Sequence, residues 1–194
     1  QEQLLHHEAM DVPRSQEVSL YGGALSAELP RSYTDASTFR EVPDHQEAWV
    51  DTTSDRSIII EILEQKDVND AEAIDFFLSD LAAFNEATES KVMHSRPLEP
   101  EEVSNLPTCR AFTGVGQQVV AKFREDHSGP VQIHCAVLRL PDVTTDILIT
   151  LNDPHAMLSQ SDPPDVLPAE VTSEVIFARL LKSFRILDWT LFGE

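Results

Sequence analysis

The stretch Asp55-Arg56-Ser57-Ile58-Ile59-Ile60-Glu61-Ile62-Leu63-Glu64 decides how the chain folds. Three consecutive isoleucines are stiff at χ1 and suit a pleated strand better than a helix. On a strand, Ser57, Ile59, Glu61 and Leu63 share one face, and Ile58, Ile60, Ile62 and Glu64 share the other. A carboxylate inside such a run is costly when dry and unpaired, so Glu61 has to reach water or a partner.

Towards the amino terminus, Glu47 to Thr52 alternates as a second strand, entered through the turn-like Val42-Pro43-Asp44-His45. Asp35 or Ser37 is placed to cap a brief helical turn through Phe39. Ala24 to Leu29 is a short strand halted by Pro30 and preceded by the glycine pair of Leu20-Tyr21-Gly22-Gly23. Residues 1–17 are polar and aperiodic, which predicts a mobile extension, with the ordered domain spanning 18–194.

Towards the carboxyl terminus, Asn69 to Glu89 is expected as a helix, with Asn69 and Glu72 as a capping arrangement. Its apolar stripe is Ile74, Phe77, Leu78, Leu81 and Phe84. Cys109 to Phe123 reads as two pairing segments separated by a turn or bulge at Gly114-Val115-Gly116. Val131 to Leu140 and Asp146 to Asn152 alternate as strands about the break at Pro141-Asp142. Asn152 to Leu167 is expected as a surface loop. Pro168 opens a closing helix packed through Ile176, Phe177, Leu180, Leu181 and Phe184. Ile186-Leu187 adds a short strand. The pattern predicts an α+β domain around a mostly antiparallel β-sheet, with helices covering both faces.

Fourteen Lys and Arg against 34 Asp and Glu give a net charge of −20. That balance argues against nucleic acid and anionic membranes as partners and favours a basic protein. From Ser57 to Leu106 there are 12 acidic and 3 basic residues, a run whose plain reading is a solvated face. Cys109 and Cys135 form no Cys-x-x-Cys pair and are expected as free thiols in a reducing compartment. No stretch approaches a membrane span.

Enzyme signatures are missing from the sequence. It has no His-Glu-x-x-His, no paired Cys/His spacing, no Gly-x-Ser-x-Gly elbow and no phosphate-cradling glycine loop, so no metal or cofactor is expected. His155 with Asp153 is the best acid/base pair, and it lacks a nucleophile. His134 reads as a structural histidine in a strand. The acids offer a binding alternative. Adjacent strands can bring Asp44, Glu47, Glu61 and Glu64 onto one edge or face, where a basic partner would relieve their repulsion.

Leu20-Tyr21-Gly22-Gly23-Ala24, Val42-Pro43-Asp44-His45-Gln46-Glu47 and Ser57–Glu64 resemble, in that order, the Ran guanine nucleotide release factor family, the Mog nuclear-import factors. Ala136–Pro141, Thr145–Asn152 and Leu191-Phe192-Gly193 continue the resemblance, while the middle from Gln65 to Thr108 carries no matching motif. The resemblance implies a curved antiparallel sheet flanked by helices, as in PsbP-like proteins. It also implies binding to the small GTPase Ran, promotion of guanine nucleotide release, and support of nuclear import by a monomer in nucleus and cytoplasm. Family residues implicated in Ran binding fall on Glu61 and Glu64, with Asp44, Glu47 and Asp35 as further candidates. The alternative reading is a PsbP-like scaffold or small-ligand protein that ignores Ran.

Overall fold

The computed structural model describes residues 15–106, 110–120, 130–156 and 172–193. Strand β1 (Ser15–Leu20) turns through Tyr21–Gly23 into β2 (Leu25–Pro30), followed by β3 (Tyr33–Asp35), β4 (Gln46–Asp51) and β5 (Ser57–Glu64). Helix α1 (Ala73–Phe84) then leads to β6 (Glu89–Pro97), β7 (Arg110–Val119), β8 (Val131–Leu140) and β9 (Thr145–Asp153). Helix α2 (Ser173–Ser183) and the short β10 (Arg185–Ile186) close the described chain before a 3-10 turn at Trp189–Phe192.

Seven strands form one antiparallel sheet in the order β3-β4-β5-β9-β8-β7-β6, and β1-β2-β10 form a second. The decisive strand sits inside the large sheet, with β4 on one side and β9 on the other. Its alternation sorts side chains as expected. Ile58 and Ile60 enter the larger core with Ile147, Ile149 and Leu151 of β9 and with Ile176, Phe177, Leu180 and Leu181 of α2. Leu63 leans on the opposite core, built from Val131, Ile133, Cys135 and Val137 of β8 and Ile74, Phe77 and Leu78 of α1. Each helix therefore covers one sheet face, and the fold class predicted from sequence is the one observed. Burying each large aliphatic side chain stabilises by roughly 1.5–3 kcal/mol.

Several sequence expectations are corrected. The helix expected over Asn69–Glu89 is shorter. Asp70–Glu72 is a 3-10 turn, Asn69 bonds the Glu72 side chain instead of a backbone N–H, and α1 stops at Phe84. Glu86 takes a left-handed φ of 54°, which ends the helix, and Phe84 is 79% exposed, so it is outside the packed stripe. The unforeseen β6 begins at Glu89; its side chains are nearly all exposed, so no alternation announced it. Gly114 and Gly116 mark neither a turn nor a bulge, for β7 runs unbroken. They are clearances for α1: a Cβ on Gly114 would lie 2.5 Å from Ile74 Cγ2 and 2.7 Å from the His94 carbonyl oxygen. The irregularity is in β6, between Val92 and His94. Pairing of β1 begins at Ser15, inside the expected extension. Cys109, Pro168 and most of the expected loop from Asn152 lie outside the described residues.

Candidate functional site

The Tyr21-Gly22-Gly23 turn has three successive positive φ values, 50°, 67° and 94°. Two of them fall on glycine, where no Cβ opposes that geometry. The turn aims Tyr21 at the start of β4 and the end of β5. Its hydroxyl lies 2.8 Å from the carbonyl oxygens of both His45 and Ile60, and its backbone N–H donates to Glu47 Oε1 at 2.6 Å. Burial, followed by the Glu47 and Glu61 charges, pushes the Tyr21 phenol above its ordinary range, so it remains a donor. The His45 carbonyl also accepts from Ile62 N–H at 3.0 Å. One tyrosine thus fastens the Val42–His45 turn to the decisive strand.

The carboxylates around this corner are distributed over both sheet faces. Glu61 stands opposite Gln46, whose amide donates to Glu61 Oε1 at 2.7 Å, and His45 Nε2 lies 3.8 Å from the same oxygen. Only 13% of the Glu61 side chain is exposed. Its negative charge, after burial itself, helps push the Cys135 thiol up to about 12. Glu47 stands opposite Ile60 and therefore on the other face. Burial raises its carboxyl above the usual range, the Tyr21 N–H works against that shift, and the Asp35 charge adds to it. Asp35 shares the Glu47 face through its pairing with Trp49, and its side chain caps Ser37 N–H at 2.9 Å.

Glu64 is exposed, and β5 pairs one-to-one with β9 up to Glu64↔Thr145. Without a bulge, Glu61 and Glu64 point to opposite faces, as the alternation requires. Asp44 is exposed on the turn between them. The four acids, expected on one edge or face, do not share a face. Glu61 lies on the α1 side, Glu47 and Glu64 on the α2 side, and Asp44 at the corner where the faces meet. Because β3 pairs only with Trp49–Asp51, the start of β4 is a sheet edge. The corner is accessible from both sides of that edge.

The carboxyl-terminal block joins this corner through Ala24. Leu187 N–H and Asp188 N–H both donate to the Ala24 carbonyl, and Leu191 and Phe192 pack on the larger core, as Tyr21 and Ile62 do. Four separated sequence blocks thus meet at one corner: Leu20–Ala24, Val42–Glu47, Ser57–Glu64 and Leu191–Gly193. Sequence reasoning missed Tyr21 and Gln46 as the groups that hold it. The signal for Gln46 was the register: extending the two strands through the 52–56 turn sets it opposite Glu61.

The acid/base pair suggested by sequence does not assemble. His155 Nε2 lies 2.7 Å from Asp55 Oδ2, whereas Asp153 accepts the His155 backbone N–H at 3.0 Å. Asp153 also accepts from Arg56 Nε at 3.2 Å and the buried Ser173 hydroxyl at 2.6 Å. A second polar centre surrounds buried Arg139. Its guanidinium pairs with Asp146 (3.1 Å) and Asp70 (2.9 Å) and donates to the carbonyls of Val68 and Lys66. This network fastens the segment from β5 to α1 onto β8. Among the described residues no group of His, Cys, Asp and Glu is arranged to hold a metal ion, and no described helix is long and apolar enough to cross a membrane.

Comparisons with known proteins agree with one another. Residues 12–154 match the family model described as Ran-interacting Mog1 protein. The chain is 39% identical over 180 residues to a Ran guanine nucleotide release factor of Danio rerio, covering 90% of this chain and 98% of that one. It is 31% identical over 194 residues to the nuclear import protein MOG1 of Saccharomyces cerevisiae, covering 92% and 85%. The crystal structure of the Saccharomyces cerevisiae Ran-binding protein Mog1p superposes with a TM-score of 0.72 at 29% identity, covering 94% of this chain and all of the other. A cyanobacterial PsbP from Synechocystis shares the fold alone, at a TM-score of 0.59 and 9% identity, covering 90% and 94%. With most of its length matched by the model and by relatives above 30% identity, this chain belongs to the Ran-interacting Mog1 protein family.

Proposed function

We propose that this chain binds the small GTPase Ran through the acidic corner where β4 begins and β5 ends, and promotes release of its guanine nucleotide. It does so as a monomer in nucleus and cytoplasm, in support of nuclear protein import. The relatives named as Ran guanine nucleotide release factors and nuclear import proteins support the partner and the process. The observation that carries the choice of site is the meeting of four separated sequence blocks around Asp44, Glu61 and Glu64. Asp44 and Glu64 are exposed, and among the described residues the side-chain polar partners of Glu61 are a neutral amide and a histidine. Asp44 and Glu64 are therefore open to Lys or Arg from outside, and Glu61, only 13% exposed, is met by no Lys or Arg among the described residues.

No catalytic group of the chain is required. A release factor binds the GTPase conformation that holds nucleotide poorly, and linkage makes the nucleotide weaken its binding in return. A coupling of ~1–3 kcal/mol changes affinity roughly 5–150-fold. Because Glu61 and Glu64 point to opposite faces, both serve one partner only if Ran wraps the sheet edge at Asp44. The test is release of fluorescent nucleotide from Ran. Wild type should accelerate it, and E61K/E64K should not, with an unchanged circular dichroism spectrum. Full acceleration by that folded double variant would remove the acids from the mechanism, and no acceleration by wild type would leave a scaffold or small-ligand reading.

A further inference from the structure

Beside the acids, the corner displays two large apolar side chains that the fold holds in water. Leu187 is 60% exposed and Trp189 43%. They do not ride on a loose tail. Leu187 N–H and Asp188 N–H bond the Ala24 carbonyl at 2.8 and 3.1 Å. Asp188 Oδ1 accepts from Thr190 N–H at 3.0 Å and from the Thr190 hydroxyl at 2.6 Å. The Trp189 ring packs edge-on against Phe192 with centroids 5.7 Å apart, and Phe192 in turn leans on the larger core. Folding has already ordered this turn, so a partner that covers it loses little further entropy.

Tryptophan is among the side chains that most often dominate binding energy at the centre of an interface, and charge gathers at the rim. That arrangement is present here. The turn carrying Leu187 and Trp189 is tied to Ala24, three residues from Tyr21, and Tyr21 is tied to Glu47 and His45. Asp188 is exposed between Leu187 and Trp189, and the Tyr21 turn, bonded to Ala24, carries the surface on to Glu47 and the start of β4. An acidic border on a chain of net charge −20 repels a second copy and favours a partner whose apolar patch is rimmed by Lys or Arg.

We propose that Leu187 and Trp189 are the apolar anchor of the Ran-binding surface, with Asp188 and the acids where β4 begins and β5 ends as its charged rim. This rests on the Ran reading above. Anchor and rim differ in their response to salt, because screening weakens charge pairs and leaves apolar burial intact. Titrating purified Ran against the full chain by calorimetry at ~50 mM and ~500 mM NaCl separates them. Trp189→Ala should bind about 30-fold more weakly at both salt concentrations, the size typical of a central aromatic. Asp44→Asn should weaken binding mainly at the lower salt. Leu187→Ser, at the more exposed of the two positions, guards against a local collapse in Trp189→Ala and should lose affinity in the same salt-independent way. Wild-type affinity in both Leu187→Ser and a normally melting Trp189→Ala would overturn the anchor while leaving the Ran reading in place. No binding by the wild-type chain at either salt would overturn both.

Discussion

The molecule treats two sets of carboxylates in opposite ways. Asp146 and Asp153 are buried, and each is saturated from within. Asp146 receives Arg139 and the Lys66 N–H, whereas Asp153 receives Arg56, the Ser173 hydroxyl and the His155 N–H. At the corner, Asp44 and Glu64 have no side-chain hydrogen bond or ion pair among the described residues, and Glu61 is held by the neutral Gln46 amide. A buried charge without a counter-ion is strongly destabilising, so the first set must be paired for the chain to fold at all. The exposed Asp44 and Glu64 carry no such obligation, and Glu61, only 13% exposed, is met by the Gln46 amide in place of a cation. The acids that the fold does not need to neutralise are the ones free to meet a partner's cations.

The largest effect should come from breaking the internal set. Arg139→Met strands Asp146 in the core and releases the Lys66–Asp70 segment, which should cost ~3–5 kcal/mol in urea unfolding. Nucleotide release from Ran by the fraction that remains folded should be unchanged. Wild-type stability in this variant would erase the contrast between the two sets. A smaller effect concerns His134, whose Nε2 is buried without a hydrogen-bond partner among the described residues. Burial lowers its pKa from the ordinary 6.5, with the Glu174 and Asp153 charges opposing. Below pH 6.5 the unfolded chain therefore takes up a proton that the folded chain refuses. Stability should fall with decreasing pH by at most ~1.4 kcal/mol per unit from this group. His134→Leu should flatten that part of the melting-temperature profile; an unchanged slope would mean that the interior tolerates the charge.

Much of this contrast was legible in the sequence, and the reasons for the remainder are local. The isoleucine run forced a strand because β-branched side chains crowd a helix, and its period-two alternation correctly assigned Ile58 and Ile60 to one core. Glu61 drew attention because a carboxylate in that run demands an explanation. Its neighbours were harder to see, since the groups that hold the corner are bonded across 24 to 39 residues. The β6 strand escaped notice because an exposed edge strand needs no apolar alternation. Gly114 and Gly116 were misread for a related reason: their role is to admit Ile74 and Leu78, a contact between elements that no window of β7 contains. Of the edge or face expected to gather the four acids, the shared face is excluded by Glu47, which is one residue out of phase with Glu61 across the β4–β5 pair.

Tyr21 sharpens the comparison from the other side, for it is a half-buried polar group that serves the acids of the corner. Tyr21→Phe removes the hydroxyl shared by the His45 and Ile60 carbonyls and should cost ~1 kcal/mol of stability. Faster amide exchange at Ile62, which donates to His45, would report the loosened turn. Affinity for Ran should fall by more than the stability change alone predicts, because the acids are then no longer preorganised. Equal exchange in the two proteins would mean that the β4–β5 pairing alone fixes the corner.

Glu47 is the acid that belongs to neither set cleanly, and Glu47→Gln should decide its place with the smallest effect of all. Its Oε1 accepts the Tyr21 N–H at 2.6 Å, a bond that an amide oxygen can also make. Burial holds the wild-type carboxyl above its usual range, so the folded state disfavours the charged form. That penalty is present at neutral pH and disappears as the pH falls and the carboxyl takes up a proton. At pH 7 the amide avoids it, and the variant should melt at or slightly above wild type, within ~0.5 kcal/mol. As the pH is lowered through the folded carboxyl's titration, wild type should recover the difference. If Ran affinity is unchanged in Glu47→Gln, the charge is incidental and Glu47 is a clasp for the Tyr21 turn, on the structural side of the comparison. If affinity falls tenfold while the melt stays as described, Glu47 carries charge for the partner despite its internal bond, and pairing within the chain ceases to separate structural acids from functional ones.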